Sequence, residues 1–94
     1  MINNNARAEI IVNGLVQGVG FRYYVVKQAV RLKLTGFVQN LYTGEVLTIV
    51  EGEKILIDEL FKLIKLGPAN SQVKNAKITW SEFKNEFDSF EVKF

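Results

Sequence analysis

Two glycines that alternate with other residues lead directly to Arg22, and this spacing is typical of a loop that binds an anion. Residues 14–22 read Gly-Leu-Val-Gln-Gly-Val-Gly-Phe-Arg, with Gly18 and Gly20 just before the arginine. Because glycine has no Cβ and adopts positive φ readily, successive backbone N–H groups of such a loop can turn inward around a phosphate. The guanidinium of Arg22 can grip two phosphate oxygens. The loop matches neither the Walker A pattern nor the dinucleotide-binding fingerprint.

The segments on either side of this loop allow two interpretations. A helix predicted to begin at Phe21 has no Ser, Thr, Asp or Asn at its expected N-cap, so a phosphate could accept its free N–H groups. Asn40 adds a polar amide at the end of a predicted strand. In the alternative, the glycines form an ordinary strand-to-helix turn that Gly18 or water caps, Arg22 makes a surface salt bridge, and Asn40 is a turn residue.

The composition excludes several kinds of catalytic site. The 94 residues include no histidine and no cysteine. Zinc sites built on these residues, serine–histidine or cysteine–histidine nucleophile pairs, and phosphohistidine or phosphocysteine intermediates are therefore excluded. Twelve Lys and Arg against ten Asp and Glu give a net charge of +2, which suits an anionic ligand but falls short of a nucleic-acid-binding stripe. Any catalysis must use Arg, Lys, carboxylates, amides or backbone groups.

Hydrophobic periodicity predicts the elements that would position these groups. Strands are expected at 8–14, 35–41, 45–51, 76–80 and 90–94, and helices at 21–33 and 53–66. Gly67-Pro68 is a helix stop, and Gly44 favours a tight hairpin between the second and third strands. The order β-α-β-β-α-β with a short fifth strand predicts an α+β, ferredoxin-like split βαβ fold, with an antiparallel sheet and both helices on one face.

Side-chain alternation predicts which residues form the core. The first strand should bury Ala8, Ile10 and Val12; the first helix Phe21, Val25, Ala29 and Leu32, flanked by Val26 and Val30; and the second helix Leu56, Leu60, Leu63 and Ile64.

Length and composition predict one domain over residues 7–94, after a flexible tail at 1–6. Apolar residues make up 48% of the chain, which is enough for a core. No leader-like or membrane-spanning run is seen and cysteine is absent, so we expect a cytoplasmic protein.

Taken together, these residues resemble the acylphosphatase family. The first motif is residues 14–22, and the second is a Gly-aromatic-small-x-Asn block followed by spaced glycine and valine. In this chain the second motif consists of Gly36, Phe37, Val38, Asn40, Gly44, Val46 and Gly52. The similarity extends over residues 8–94.

The resemblance implies hydrolysis of an acyl phosphate to a carboxylate and inorganic phosphate. In this family Arg22 would bind the phosphate and Asn40 would hold the attacking water. The backbone cradle would comprise Gln17, Gly18, Val19, Gly20, Phe21 and Arg22. The resemblance implies no metal, no cofactor and no phosphoenzyme, and we expect a monomer that binds neither nucleic acid nor membrane.

Three positions depart from the family pattern. Lys33 stands where glycine is common, Gln39 where a cation is common, and Ala69 where a second proline is common. A missing cation at Gln39 would lower the positive potential near the site and raise the Michaelis constant. None of the departures affects Arg22 or Asn40.

Two other functions share this predicted order of elements. An RNA-binding module would need aromatic residues on its third strand, but residues 45–50 contain none, so Phe37 and Trp80 are interpreted as core. The other is a phosphate sensor without catalytic activity, which would keep the anion loop. The presence of both Arg22 and Asn40 favours the enzyme.

Overall fold

The computed structural model describes residues 4–94 of the chain. Its elements are β1 (Asn5–Leu15), α1 (Phe21–Arg31), β2 (Thr35–Asn40), β3 (Val46–Glu53), α2 (Lys54–Leu66), β4 (Gln72–Ser81) and β5 (Phe90–Lys93). Gly67 ends α2 as predicted, with its N–H donating to the carbonyl of Leu63 at 2.9 Å. No helix within residues 4–94 is long and apolar enough to cross a membrane.

The five strands form one sheet in the order β4-β1-β3-β2-β5. The β4–β1, β1–β3 and β3–β2 pairs are antiparallel, which confirms the ferredoxin-like α+β fold. The prediction of an antiparallel sheet is wrong for the fifth strand, because β5 pairs parallel to β2. The physical reason is the connection: residues 82–89 carry the chain from β4 at one edge to β2 at the other, where β5 begins beside the start of β2.

Both helices pack on one face of the sheet, as predicted. Their buried side chains join those of Ala8, Ile10 and Val12 in a single core, with Phe21, Val25 and Ala29 from α1 and Ile57, Leu60 and Ile64 from α2. The predicted buried faces of the two helices differ from the structure at one residue each. Ile57 is fully buried although the sequence analysis omitted it, and Val30 is 58% exposed although it was placed beside the core.

Two predicted boundaries are corrected by strand pairing. The strand β1 begins at Asn5, whose register partner is Glu53, so residues 5 and 6 belong to the sheet and not to a tail. The predicted tail residues 1–3 lie outside the described part of the chain. The strand β4 begins at Gln72, four residues earlier than expected, because a bulge at Asn13 and Gly14 lets β1 continue pairing with it.

The two aromatic residues interpreted as core lie on opposite faces of the sheet. Trp80 pairs with buried Ala8 and packs against the core, as predicted. Phe37 was predicted wrongly: it alternates with buried Val38, so its ring lies on the face without helices, against Phe87 at 5.9 Å between ring centres. Periodicity alone could not show that the 82–89 connection would cover part of that face.

Candidate active site

The loop between β1 and α1 has the backbone geometry that the glycines predict. Gly18 and Gly20 have φ of 75° and 76°, in the left-handed region. A Cβ built at either position would meet no heavy atom within 4 Å, so the backbone conformation and not crowding within the protein requires glycine. Gly20 is also the N-cap of α1, and no side chain hydrogen-bonds to this helix end.

The start of α1 presents free donors. The first helical hydrogen bond runs from the N–H of Tyr24 to the carbonyl of Gly20 at 3.1 Å. Within residues 4–94, the N–H groups of residues 17–23 have no hydrogen-bond acceptor. The first turn holds no acidic side chain, so no carboxylate neutralises the positive end of the helix dipole. This arrangement attracts an anion.

A small pocket of about 90 Å³ lies at this helix end. It is lined by Val16, Gly18, Gly20, Phe21, Arg22, Tyr23 and Asn40. The fold therefore brings Arg22 and Asn40, 18 positions apart in the sequence, to one cleft. Its volume is well below the range of about 300 to 1,000 Å³ that is usual for larger organic ligands, so it suits a small anion.

Asn40 contributes a buried acceptor with no partner. Its Oδ1 atom is buried and has no hydrogen-bond partner within residues 4–94. Leaving such an atom unpaired costs about 1–3 kcal/mol, and buried polar groups are otherwise almost always paired. The residue ends β2, where it pairs with buried Val46, so the sheet fixes its backbone. A donor from outside the protein would satisfy this oxygen.

The side chain of Arg22 lies half-buried beside the pocket. Its guanidinium carbon lies 5.0 Å from the centre of the Phe94 ring. It forms no ion pair or hydrogen bond with any residue in the described range 4–94, so the surface salt bridge of the alternative interpretation is not found. Its donors therefore remain available for an anion.

Gln17 and Val19 lie outside the residues that line the pocket. The Nε2 group of Gln17 donates to the carbonyls of Leu41 at 2.7 Å and Glu45 at 2.8 Å. Val19 packs its side chain against the core. Both residues can therefore contribute to an anion cradle only through their backbone N–H groups.

Sequence reasoning missed two pocket residues, Val16 and Tyr23. Val16 is fully buried, and its apolar side chain within a glycine loop was the one available signal. Tyr23 is 71% exposed and forms the rim. Its position next to Arg22 in the first turn of α1 could have suggested this.

Groups with a shifted pKa lie elsewhere. Burial raises the pKa of the Tyr24 hydroxyl, an effect that the positive charge of Arg31 partly offsets, and this hydroxyl donates to the carbonyl of Leu63 at 2.8 Å. The other such group is Glu51, under the 82–89 connection. Among residues 4–94 no group of three or more acidic, histidine or cysteine side chains could hold a metal ion.

Comparison with known proteins identifies the family. A family model described as acylphosphatase matches residues 8–92. The chain belongs to the acylphosphatase family. Members of the acylphosphatase family hydrolyse acyl phosphates to a carboxylate and inorganic phosphate, so this chain is a hydrolase.

Individual acylphosphatases are similar over nearly the whole chain. The acylphosphatase of Moorella thermoacetica is 44% identical over 80 residues, which cover 85% of this chain and 86% of that protein. The crystal structure of acylphosphatase from Bacillus subtilis has a TM-score of 0.91 at 34% identity, covering 95% of this chain and 99% of that one. An acylphosphatase from Coxiella burnetii has a TM-score of 0.90 at 34% identity, with 96% and 94% covered.

Proposed function

We propose that acyl phosphates are hydrolysed in the pocket between the glycine loop and Asn40. The phosphoryl group would lie against the N–H groups of residues 17–22 and the guanidinium of Arg22, and Asn40 would hold the attacking water. The observation that carries this proposal is the unpartnered, buried Oδ1 of Asn40 in the same pocket as Arg22.

Phosphate binding follows from the donors that surround the pocket. The free N–H groups at the start of α1, the helix dipole and the guanidinium all favour negative charge at one point. In a loose phosphoryl-transfer transition state, charge spreads over the three equatorial oxygens, so preorganised donors stabilise it. Arg22 therefore serves both binding and turnover.

The water is positioned by the amide of Asn40. Its Oδ1 accepts one proton of the water in a hydrogen bond and orients the oxygen for in-line attack on phosphorus. The new P–O bond forms as the bond between phosphorus and the carboxylate oxygen breaks. The proton that the water loses goes to a phosphate oxygen, because an amide is too weak a base to take it.

The leaving group explains why so few residues suffice. A carboxylate leaves as an anion whose conjugate acid has a pKa of about 4, so no general acid is needed at neutral pH. Positioning and electrostatic stabilisation are then the main catalytic terms. The absence of histidine and cysteine from the sequence is compatible with this mechanism.

We further propose that the enzyme acts as a monomer in the cytoplasm, without bound nucleic acid or membrane. The mild net charge of +2 and the absence of cysteine support this proposal. Sedimentation at micromolar concentration would test the oligomeric state.

Phosphate release from benzoyl phosphate in the presence of a chelator tests the site. We expect metal-free turnover by the wild type, loss of both phosphate affinity and turnover in Arg22→Ala, and about a hundredfold lower kcat in Asn40→Ala with phosphate affinity retained. Phosphate affinity is measured as the inhibition constant of inorganic phosphate.

Matched controls separate the site from general effects. Arg31→Ala removes an arginine at the other end of α1, and Asn70→Ala removes an exposed asparagine outside the pocket; both should keep wild-type kinetics. A near-native rate in Asn40→Ala would refute its role. Phosphate binding without turnover in the wild type would instead indicate a phosphate sensor.

A further inference from the structure

The side chain of Gln17 connects the glycine loop to the β2–β3 hairpin that carries Asn40. Its Nε2 donates to the carbonyls of Leu41 at 2.7 Å and Glu45 at 2.8 Å, in a partly buried setting. We propose that Gln17 is a positioning residue, which sets Asn40 at the correct place relative to the bound phosphoryl group. This inference rests on the proposed function of Asn40.

The two acceptors lie directly beside Asn40. The last residue pair between β2 and β3 is Asn40 with Val46. Toward the turn of the hairpin, the adjoining residues are Leu41 after β2 and Glu45 before β3. These two also join through the N–H of Leu41 and the carbonyl of Glu45 at 2.8 Å. The amide of Gln17 thus holds both strands of the hairpin one residue beyond the Asn40–Val46 pair.

Only a donor group suits this place. Both acceptors are carbonyl oxygens, so the contact needs two N–H groups from one atom, which an amide nitrogen supplies and a carboxylate does not. Because both N–H groups of Nε2 are used, the amide nitrogen is not available to substrate. Within residues 4–94 no other side-chain hydrogen bond joins the loop at 16–20 to the hairpin at 41–45.

The consequence for catalysis follows because different segments would bind the phosphate and hold the water. Phosphate is bound from the loop and α1, whereas the water is held from the hairpin. Without the Gln17 contact, the hairpin can shift relative to the loop, and a displacement of about 1 Å from the attack geometry can lower a rate on the order of a hundredfold. The loss should appear in kcat, because the phosphate donors remain in place.

The test is a double-mutant cycle with Gln17→Met and Asn40→Ala. Methionine is similar in size to glutamine but donates no hydrogen bond. We expect Gln17→Met to lower kcat about tenfold or more, with the phosphate inhibition constant changed less than about threefold. In the Asn40→Ala background, the same substitution should leave the residual kcat unchanged, because the residue through which it acts is absent.

A matched control is Tyr24→Phe, which removes a partly buried hydrogen bond of 2.8 Å to the carbonyl of Leu63, away from the hairpin. It should lower stability without changing kcat. Gln17→Glu, which keeps the size of the side chain and loses the donors, should lower kcat at least as much as Gln17→Met. It supplies the test if the methionine variant does not fold.

The outcomes distinguish the two proposals. If Gln17→Met lowers kcat by the same factor with and without Asn40, it acts independently and the positioning role is wrong. If kcat is unchanged in Gln17→Met and Gln17→Glu, the role is also wrong, although Asn40 keeps its own. If Asn40→Ala turns over at the wild-type rate, the proposed function of Asn40 fails and the inference about Gln17 fails with it.

Discussion

The guanidinium of Arg22 lies 5.0 Å from the centre of the Phe94 ring, so an aromatic residue just after β5 contacts the arginine that we propose binds phosphate. The strand β5 pairs with β2, whose last residue is Asn40. One edge of the sheet therefore contributes to the placement of both proposed catalytic side chains.

Replacement of Phe94 should weaken phosphate binding. The ring is 88% exposed, and a cation–π contact at an exposed site contributes about 0.5 to 1 kcal/mol. Because the ring limits the motion of the guanidinium, we expect Phe94→Leu to raise the phosphate inhibition constant about two- to fivefold. The control is Phe61→Leu, which removes a similar contact with Lys65 on α2. Equal or tighter binding in Phe94→Leu would contradict the prediction.

Alanine at Gly18 or Gly20 should lower phosphate affinity through the backbone. Both residues have φ near 75°, and this conformation costs a residue with a Cβ about 1–2 kcal/mol. We expect either substitution to rotate N–H groups of the loop out of the proposed phosphate cradle. Asparagine tolerates positive φ better than alanine, so Gly18→Asn should keep more phosphate affinity than Gly18→Ala. Equal losses in both variants would mean that φ is not the cause.

Lys33→Gly should stabilise the protein. Lys33 has φ of 59° just beyond the end of α1. Its N–H donates to the carbonyl of Val30 at 3.0 Å, and the N–H of Leu34 donates to the carbonyl of Ala29 at 2.9 Å. This is a Schellman motif, whose left-handed residue is usually glycine. We expect the free energy of unfolding in urea to rise by about 0.5 to 1 kcal/mol.

The same substitution inside α1 is the control for Lys33→Gly. Lys27→Gly should lower the free energy of unfolding by about 0.5 to 1 kcal/mol, since glycine disfavours a helix interior. A destabilising effect at both positions would show that the conformation of Lys33 carries no strain.

Glu51 should make stability depend on acid pH. Its buried carboxylate accepts the N–H groups of Lys84 at 2.5 Å and Glu86 at 2.8 Å, and lies 3.5 Å from Arg7. Burial raises the pKa of Glu51, but the two N–H donors and Arg7 together outweigh burial and leave the pKa below its ordinary value. The stabilisation is therefore present above the ordinary pKa and is lost as the pH falls through the lowered one.

Urea unfolding of Glu51→Gln checks this. At pH 7 we expect the free energy of unfolding to fall by about 1–3 kcal/mol, because glutamine offers one acceptor oxygen where two N–H groups need partners. The difference in the free energy of unfolding between Glu51→Gln and the wild type should become smaller at acid pH, where the wild-type carboxyl is protonated. Glu59→Gln, an exposed change on α2, should alter the free energy of unfolding by less than about 0.5 kcal/mol. A gap that is constant with pH would rule out the charge as the cause.

The sequence determined most of the local structure and the chemical character of the site. Hydrophobic periods indicate the strands and helices because side-chain spacing fixes which face each element buries. The glycines before Arg22 and the uncapped helix start predict an anion loop, since φ preference and orphan donors are properties of the local chain.

Only the tertiary structure decided how distant segments meet. The direction of β5, the burial of Glu51 under the 82–89 connection and the packing of Phe37 against Phe87 on the face without helices all depend on contacts between segments far apart in the chain. The contact of Gln17 with the hairpin is of the same kind: an amide that reads as part of a phosphate loop in the sequence donates across to residues 24 and 28 positions away. Such pairings arise from the packing of the whole sheet, which no local pattern specifies.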